Sequence, residues 1–263
     1  MNTKKNHPAR RSKKQMLYQR PKSLTNVPMH YCAGCGHSLI HKVLAELMDE
    51  LGIRERTIGV APVGCAVLAY FYLKCDISEA AHGRAAAVAT GIKRALPDRI
   101  VFSYQGDGDL AAIGMAETVH AANRGENITV IFVNNTVYGM TGGQMAPTTL
   151  VGQITPTCPK GRDPLTMGPP IRVCELLNTL DRPYYIERVA LDGPQGVLAA
   201  KRALRTALTA QIDNKGYTFV EVLSPCPTYF RLSPIESLRF VKESMVPVFP
   251  VGVFRKEGVA IHA

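Results

Sequence analysis

Hydrophobic positions along the chain follow two rhythms, and these define the elements before any chemistry is considered. Between His37 and Leu51 the apolar residues Leu39, Ile40, Val43, Leu44, Leu47 and Leu51 recur at helical spacing, and Gly52 stands where a helix ends. Short apolar runs then appear at Thr57 to Ala61, at Arg99 to Gln105 and at Ile128 to Val133. Runs of this length, bounded by turn residues, read as buried strands. Helical segments separate them: a small-residue helix over 84–96, and a helix from Leu110 to Arg124 that stops at Gly125. Farther along, helices near 171–180 and 194–211 flank a strand near 184–190, and a last strand from Tyr217 to Leu223 precedes a Pro-punctuated end. There are no internal repeats. This alternation predicts right-handed βαβ units, hence an α/β fold: a doubly wound, mostly parallel sheet with helices on both faces.

Composition adds limits to that picture. The chain has 263 residues and 46% of them are hydrophobic, enough for one large domain with a substantial core. Disorder, a collagen repeat and a disulfide mini-protein are all excluded. The longest uncharged run, Thr57 to Leu73, is broken by Gly59, Pro62 and Gly64, whereas a membrane span needs roughly 20 apolar residues. No apolar stretch follows the basic start, so no secretory signal is expected, and a soluble cytoplasmic protein is. The net charge of +10 is uneven: residues 1–22 carry eight Lys or Arg and no acid, and the remainder carries 23 basic and 21 acidic residues. Residues 1–22 therefore read as a solvated, mobile tail, with residues 23–263 as the single domain. The tail has one aromatic, Tyr18, and no glycine–arginine repeats, so nucleic acid is not the expected partner. Met16 opens the phrase Met-Leu-Tyr-Gln-Arg-Pro-Lys-Ser-Leu and is a candidate translation start, which the intact mass of the native protein tests. The Pro/Gly-rich stretch 142–169 is long for a loop; it is either functional or a flexible surface excursion.

Two turns carry the first chemical signal. Gln105-Gly106-Asp107-Gly108-Asp109 follows one apolar strand, and Asn134-Asn135 ends the next. In a parallel sheet both turns open onto the same edge, where ligands bind. Gly106 and Gly108 let a ligand approach the backbone. Asp107 offers a hard oxygen, Asn135 a side-chain carbonyl, and a turn carbonyl such as that of Val137 could complete a Mg²⁺-type set that leaves positions for phosphate oxygens. The helix beginning near Leu110 presents free N–H groups suited to a diphosphate. Either turn alone is ordinary; the pair, one strand and one helix apart, is specific.

Cysteines give the second signal. Cys32-Ala33-Gly34-Cys35 puts two thiols within reach of one metal centre, Cys65 sits in a Gly-Cys turn, and Cys226 in Ser-Pro-Cys-Pro. Four such thiols suit a [4Fe–4S] cluster or a structural zinc, or are simply buried thiols; spacing alone leaves these open. Cys75, Cys158 and Cys174 have no comparable context. Third, His82 in Ala81-His82-Gly83-Arg84 is either a helix cap or a group placed to position a carboxylate or take a proton.

The GDG and NN turns resemble the diphosphate-binding signature of thiamine diphosphate enzymes. The segment Asn135-Thr136-Val137-Tyr138-Gly139-Met140-Thr141-Gly142-Gly143-Gln144 is similar, more narrowly, to the 2-oxoacid:ferredoxin oxidoreductases, and the likeness runs over residues 16–255. The resemblance implies Mg²⁺ ligation by the side chains of Asp107 and Asn135 and the carbonyl of Val137. It implies contacts to thiamine diphosphate from Gly64, Cys65, Ala66, His82, Gly106, Asp107, Gly108, Asp109, Asn135, Gly139, Met140 and Thr141. It implies a [4Fe–4S] cluster on Cys32, Cys35, Cys65 and Cys226, and a catalytic role for His82. One departure is Thr155-Pro156-Thr157-Cys158-Pro159, where a threonine- and serine-rich run is expected.

The activity so implied is oxidative decarboxylation of a 2-oxoacid to acyl-CoA and CO₂, with electrons passing through the cluster to ferredoxin. No carboxylate is identifiable to activate the aminopyrimidine. The chain is therefore expected to be a β subunit, inactive alone, beside an α subunit carrying the pyrimidine-binding half, with small γ and ferredoxin-like δ subunits as further candidates. The wording of Met145 to Gln153, Arg162-Asp163-Pro164 and Arg172 to Leu177 is closest to the branched-chain, 2-oxoisovalerate type. A 2-oxoglutarate enzyme is the near alternative, with Lys160, Arg162 or a partner residue supplying the extra cation. A non-redox thiamine carboligase or decarboxylase would leave the cysteines idle, and a zinc-stabilised RNA-binding module would leave Asp107 and Asn135 unexplained.

Overall fold

The computed structural model describes residues 18–261, so the expectations for residues 1–17 lie outside the described residues. Residues 18–22 run beside the first helix: the Lys22 and Ser23 amides both donate to the Asp49 carboxylate, and Lys42 lies over the Tyr18 ring.

The chain order is α1 (Gly36–Glu50), β1 (Thr57–Ala61), β2 (Asp76–Glu79), α2 (Ala85–Ala95), β3 (Ile100–Gly106), α3 (Met115–Arg124) and β4 (Thr129–Asn134). Then follow β5 (Val137–Tyr138), β6 (Gln144–Met145), α4 (Pro164–Met167), α5 (Val173–Asn178), β7 (Tyr185–Ala190), α6 (Pro194–Ile212) and β8 (Thr218–Leu223). A helical stretch from Pro234 and the strands β9 (Gly252–Lys256) and β10 (Val259–Ala260) complete the chain. The main sheet runs β2-β1-β3-β4-β8-β7-β9-β10. From β2 to β7 every pair is parallel; β9 and β10 are antiparallel additions at one edge.

Alternate residues of each central strand face opposite layers. Phe102, Tyr104, Ile131, Val133 and Val220 pack with Leu44 and Leu47 of α1 and Leu204 and Leu208 of α6. Val101, Val130, Phe132 and Phe219 pack with alanines of α2 and α3 and with Val173 and Leu177 of α5. A strand buried on both faces reads as a continuous apolar run, which is why these strands stood out in the sequence. The chain leaves β1 for β2 on one side and returns to β3 on the other. The order thus reverses at β1, and the crevice at the C-terminal ends of β1 and β3 is the ligand position of such sheets.

Several features depart from the expected elements, β2 among them, since no strand is expected at Asp76–Glu79. The helix expected from Leu110 opens as a wide π-type turn over Asp107–Ala112 and becomes regular only in α3; Gly125 ends it with φ 65°. Such turns concentrate at functional sites. The Pro-punctuated end is structured: Ser233 and Glu236 form a capping box around Pro234, and β9 pairs with β7. The stretch 142–169 is fastened rather than loose. The buried Arg162 guanidinium donates to the carbonyls of Pro147 and Gly168 at 2.8 Å, Thr149 at 2.7 Å and Pro169 at 2.9 Å. One planar fork with five N–H donors is suited to gathering so many carbonyls.

Candidate active site

One cavity opens at the β1/β3 crevice. Its lining includes Gly64, Cys65, Ala66, His82, Gly106, Asp107, Gly108, Asp109, Asn135, Val137, Gly139, Met140 and Thr141. The fold therefore brings together turns after β1, β2, β3 and β4. His37, on the first turn of α1, lines it as well and was not singled out by sequence.

At its floor three oxygen-bearing groups converge. Asp107 is buried, its Oδ2 accepting from the Asn135 backbone N–H at 3.0 Å and its Oδ1 from the Thr148 hydroxyl. Burial pushes its carboxyl up to about 7, and nearby Glu221 adds to this against the two hydrogen bonds. One terminal atom of the Asn135 amide lies 2.7 Å from both Asp107 Oδ2 and the Val137 carbonyl oxygen. If that atom is nitrogen it donates to both; if it is oxygen, three acceptors face one another. The turn that aims these groups holds Thr136 at φ 63°, a conformation unusual for a β-branched residue. It is secured from behind: the Thr136 amide donates to Asn134 Oδ1 at 3.1 Å, and Asn134 Nδ2 to Glu221 Oε1 at 2.8 Å. Glu221 Oε2 accepts from Arg188 Nε at 2.8 Å, and both residues are fully buried. Sequence spacing gave no signal for Thr148, Glu221 or Arg188, because their partners come from other elements.

On the opposite side Asp109 is buried with four donors on its carboxylate. Oδ1 accepts from Val63 N at 3.1 Å, Gly83 N at 2.9 Å and His82 Nδ1 at 2.8 Å; Oδ2 accepts from Gln105 Nε2 at 2.7 Å. The His82 side chain is 42% exposed and faces the cavity.

Cys65 forms another part of the wall. Gly139 passes close to two sulfurs: a Cβ there would lie 3.2 Å from Cys65 Sγ and 3.8 Å from Cys226 Sγ. Cys32 and Cys35 are near enough to act on the same thiols. Burial pushes Cys35 up to about 11 and Cys226 up to about 12, and the neighbouring thiols add to both. Burial also raises Cys65, with Cys32 contributing. Among the described residues no three His, Cys, Asp or Glu side chains converge tightly enough to hold one metal ion. Cys75, Cys158 and Cys174 lie apart, Cys158 against the Met167 sulfur and Cys174 on the buried face of α5.

Comparison with known proteins gives the family. Residues 64–222 match the family model of the thiamine pyrophosphate enzyme C-terminal TPP-binding domain. The ketoisovalerate oxidoreductase subunit VorA of Methanothermobacter thermautotrophicus is 57% identical over 239 residues, covering 91% of this chain and 50% of that protein. The chain thus spans about half the length of that relative. The 2-oxoglutarate synthase subunit KorB of Methanocaldococcus jannaschii is 37% identical over 226 residues, covering 84% of this chain and 79% of that protein. The fold is shared with a 2-oxoglutarate:ferredoxin oxidoreductase from Magnetococcus marinus, at TM-score 0.72 and 23% identity over 95% of this chain and 88% of that one. The crevice at the switch point, the domain match and these relatives lead to one conclusion: the chain belongs to the thiamine pyrophosphate enzymes, within the 2-oxoacid:ferredoxin oxidoreductase family, as a subunit of the type that carries this domain.

Proposed function

We propose that the chain is the β subunit of a 2-oxoacid:ferredoxin oxidoreductase that holds thiamine diphosphate with Mg²⁺ and a [4Fe–4S] cluster. Its complex converts a 2-oxoacid and coenzyme A into acyl-CoA and CO₂ and passes the electrons to ferredoxin. The observation that carries this reading is the shared wall: the cavity containing Asp107, Asn135 and Val137 is also lined by Cys65. A cofactor seated there is adjacent to the thiols.

The residues fit both inorganic groups. Three oxygens from Asp107, Asn135 and Val137 make one face of an oxygen-rich cation site and leave the other face for phosphate and water. A divalent cation also gives the buried Asp107 carboxylate a counter-charge. Cys65 and Cys226 both flank Gly139 and Cys32 and Cys35 act on the same thiols, so the four form one set, and within this family we assign that set to a [4Fe–4S] cluster. When bound, thiamine diphosphate supplies the electron sink for loss of CO₂. The chain's own residues orient the diphosphate and metal, exclude water, and place His82 at the substrate side.

The substrate we assign is a branched-chain 2-oxoacid such as 2-oxoisovalerate. Val63, Ala66, Ala112, Ile113 and Met140 line the cavity, and among the described residues no Lys or Arg does. Arg162, the candidate partner for a second carboxylate, is spent on backbone carbonyls, and Lys160 is exposed on the far loop. Neither cavity carboxylate is free for the aminopyrimidine, since Asp107 belongs to the oxygen cluster and Asp109 to four donors. That carboxylate comes from the α subunit, which covers the mouth where Ile113 and Met140 are 51% and 55% exposed. Small γ and ferredoxin-like δ subunits complete the assembly. No helix among the described residues is long and apolar enough to cross a membrane, and the setting we assign is the cytoplasm.

The test is iron, acid-labile sulfide and thiamine on the complex purified anaerobically after co-expression with its genomic neighbours. About four irons and four sulfides per thiamine are expected for one cluster. Thiamine without iron would instead make the chain part of a non-redox carboligase. Activity with 2-oxoisovalerate should exceed that with 2-oxoglutarate, and the reverse preference would overturn the substrate assignment.

A further inference from the structure

We propose that Asp109 is a positioning residue which holds His82 in a single tautomer with Nε2 turned to the cavity, so that the two act as one acid–base dyad. This rests on the reading of the cavity as the thiamine site, and it gives Asp109 a task other than contacting the cofactor.

The geometry is specific about direction. A carboxylate offers acceptors only, so the 2.8 Å contact between His82 Nδ1 and Asp109 Oδ1 places the ring proton on Nδ1. Nε2 is then the nitrogen that exchanges protons with whatever occupies the cavity, and Asp109 balances the imidazolium when it forms. Proton accounting is simple: Nε2 takes one proton from a group in the cavity and returns it later, while the Nδ1–H bond to Asp109 persists. No other bond changes at the dyad.

Asp109 itself cannot swing toward a ligand. Its remaining contacts come from three different segments: the Val63 amide after β1, the Gly83 amide after β2, and the Gln105 side chain at the end of β3. Gln105 is fixed in turn, its Oε1 accepting from Ser103 Oγ at 3.1 Å. Ser103, Gln105 and Asp109 are all buried, whereas His82 is partly exposed. Three donors converge on Oδ1, the oxygen that meets His82, and Gln105 holds Oδ2, so the carboxylate is fixed by its protein partners in the orientation that faces the imidazole. Gly83 shows how closely the arrangement is built. It sits at φ 78°, and a Cβ would lie 2.4 Å from Ile113 Cγ1 and 2.8 Å from the Ile113 carbonyl carbon.

The test is a double-mutant cycle on the complete, anaerobically purified complex, with thiamine content, kcat and KM for 2-oxoisovalerate measured for each variant. His82→Ala should lower kcat by about 10²-fold or more, the usual worth of a positioned acid–base group. Asp109→Asn should lower kcat by at least about 10-fold with thiamine content unchanged, and should cost almost nothing further in the His82→Ala background. Gln105→Leu removes one donor from Asp109 without altering the dyad, and serves if Asp109→Asn does not fold. It should give a smaller loss in kcat that also vanishes once His82 is alanine. Losses that multiply in the double variants would overturn the dyad while the reading of the cavity as the thiamine site stands; an Asp109→Asn loss that appears as missing thiamine would overturn the dyad by making Asp109 a cofactor contact. Wild-type kcat in His82→Ala would remove the dyad and the acid–base role of His82 together.

Discussion

The wall of the cavity built by Asp107, Asn135 and Asp109 and the wall that carries Cys65 differ in how their reactive atoms are settled. On the first, every carboxylate oxygen already has a partner: Thr148 and the Asn135 amide on Asp107, and four donors on Asp109. Only the contact among Asp107, Asn135 and the Val137 carbonyl leaves room for a cation to replace a proton. On the second wall, thiols from three distant segments meet with only local backbone N–H groups on single sulfurs, such as His37 on Cys35 and Tyr229 on Cys226, and burial holds three of them in the neutral form. One wall is pre-organised by the fold itself. The other has the right groups nearby but is completed by what it binds. The difference teaches which losses will be separable.

The largest expected effect is on the first wall. Asp107→Ala should abolish activity and thiamine diphosphate binding while iron remains, read as cofactor content of the purified complex; retained thiamine would refute the Mg²⁺ assignment. Next, Cys226→Ala should lose iron and electron transfer but keep thiamine, and iron at the wild-type level would remove Cys226 from the ligand set. If either variant loses both groups, the two walls are one cooperative site and the comparison fails.

Gly83→Ala sharpens it further. The alanine must adopt φ 78° and push into Ile113 and Gly114, a cost of about 3 kcal/mol or more, read as a lower denaturation midpoint. The smallest effect lies behind the second wall. His41 on α1 is fully buried beside Tyr31, and burial pushes its imidazole down to about 3. The unfolded chain binds this proton near pH 6.5, so between the two values the unfolded state holds more protons than the folded one and stability rises with pH there. The stability is complete above about 6.5 and falls by up to about 1.4 kcal/mol per pH unit below it. Denaturant titrations should show that acid limb reduced in His41→Leu.

Much of the first wall was legible before folding. Asp107 and Asn135 stand in turns that end apolar strands, so their common edge followed from the βαβ pattern alone. The cysteines were legible as a set, but their spacing alone does not distinguish iron–sulfur from zinc or from buried thiols. Thr148 was invisible, lying in a stretch with no periodicity, and it reaches Asp107 only because Arg162 gathers that stretch into a fixed shape. The helix at Pro234 could have been read from Ser233-Pro234-Ile235-Glu236, since a serine three residues before a glutamate is a capping signal.

By itself the sequence determined the alternation of strands and helices, the positions of the turns and the set of groups offered at the sheet's C-terminal edge. These depend on side-chain period and on short-range turn chemistry, which act within a few residues. Only the tertiary structure decided which donors each carboxylate receives. His82 and Asp109 lie 27 residues apart and Arg188 and Glu221 lie 33 apart, so their pairing depends on strand order and on burial that excludes water as a competing partner. The same aspartate that reads as one more residue of a phosphate-binding turn becomes, once three strand ends are brought together, the group that sets the direction of a histidine.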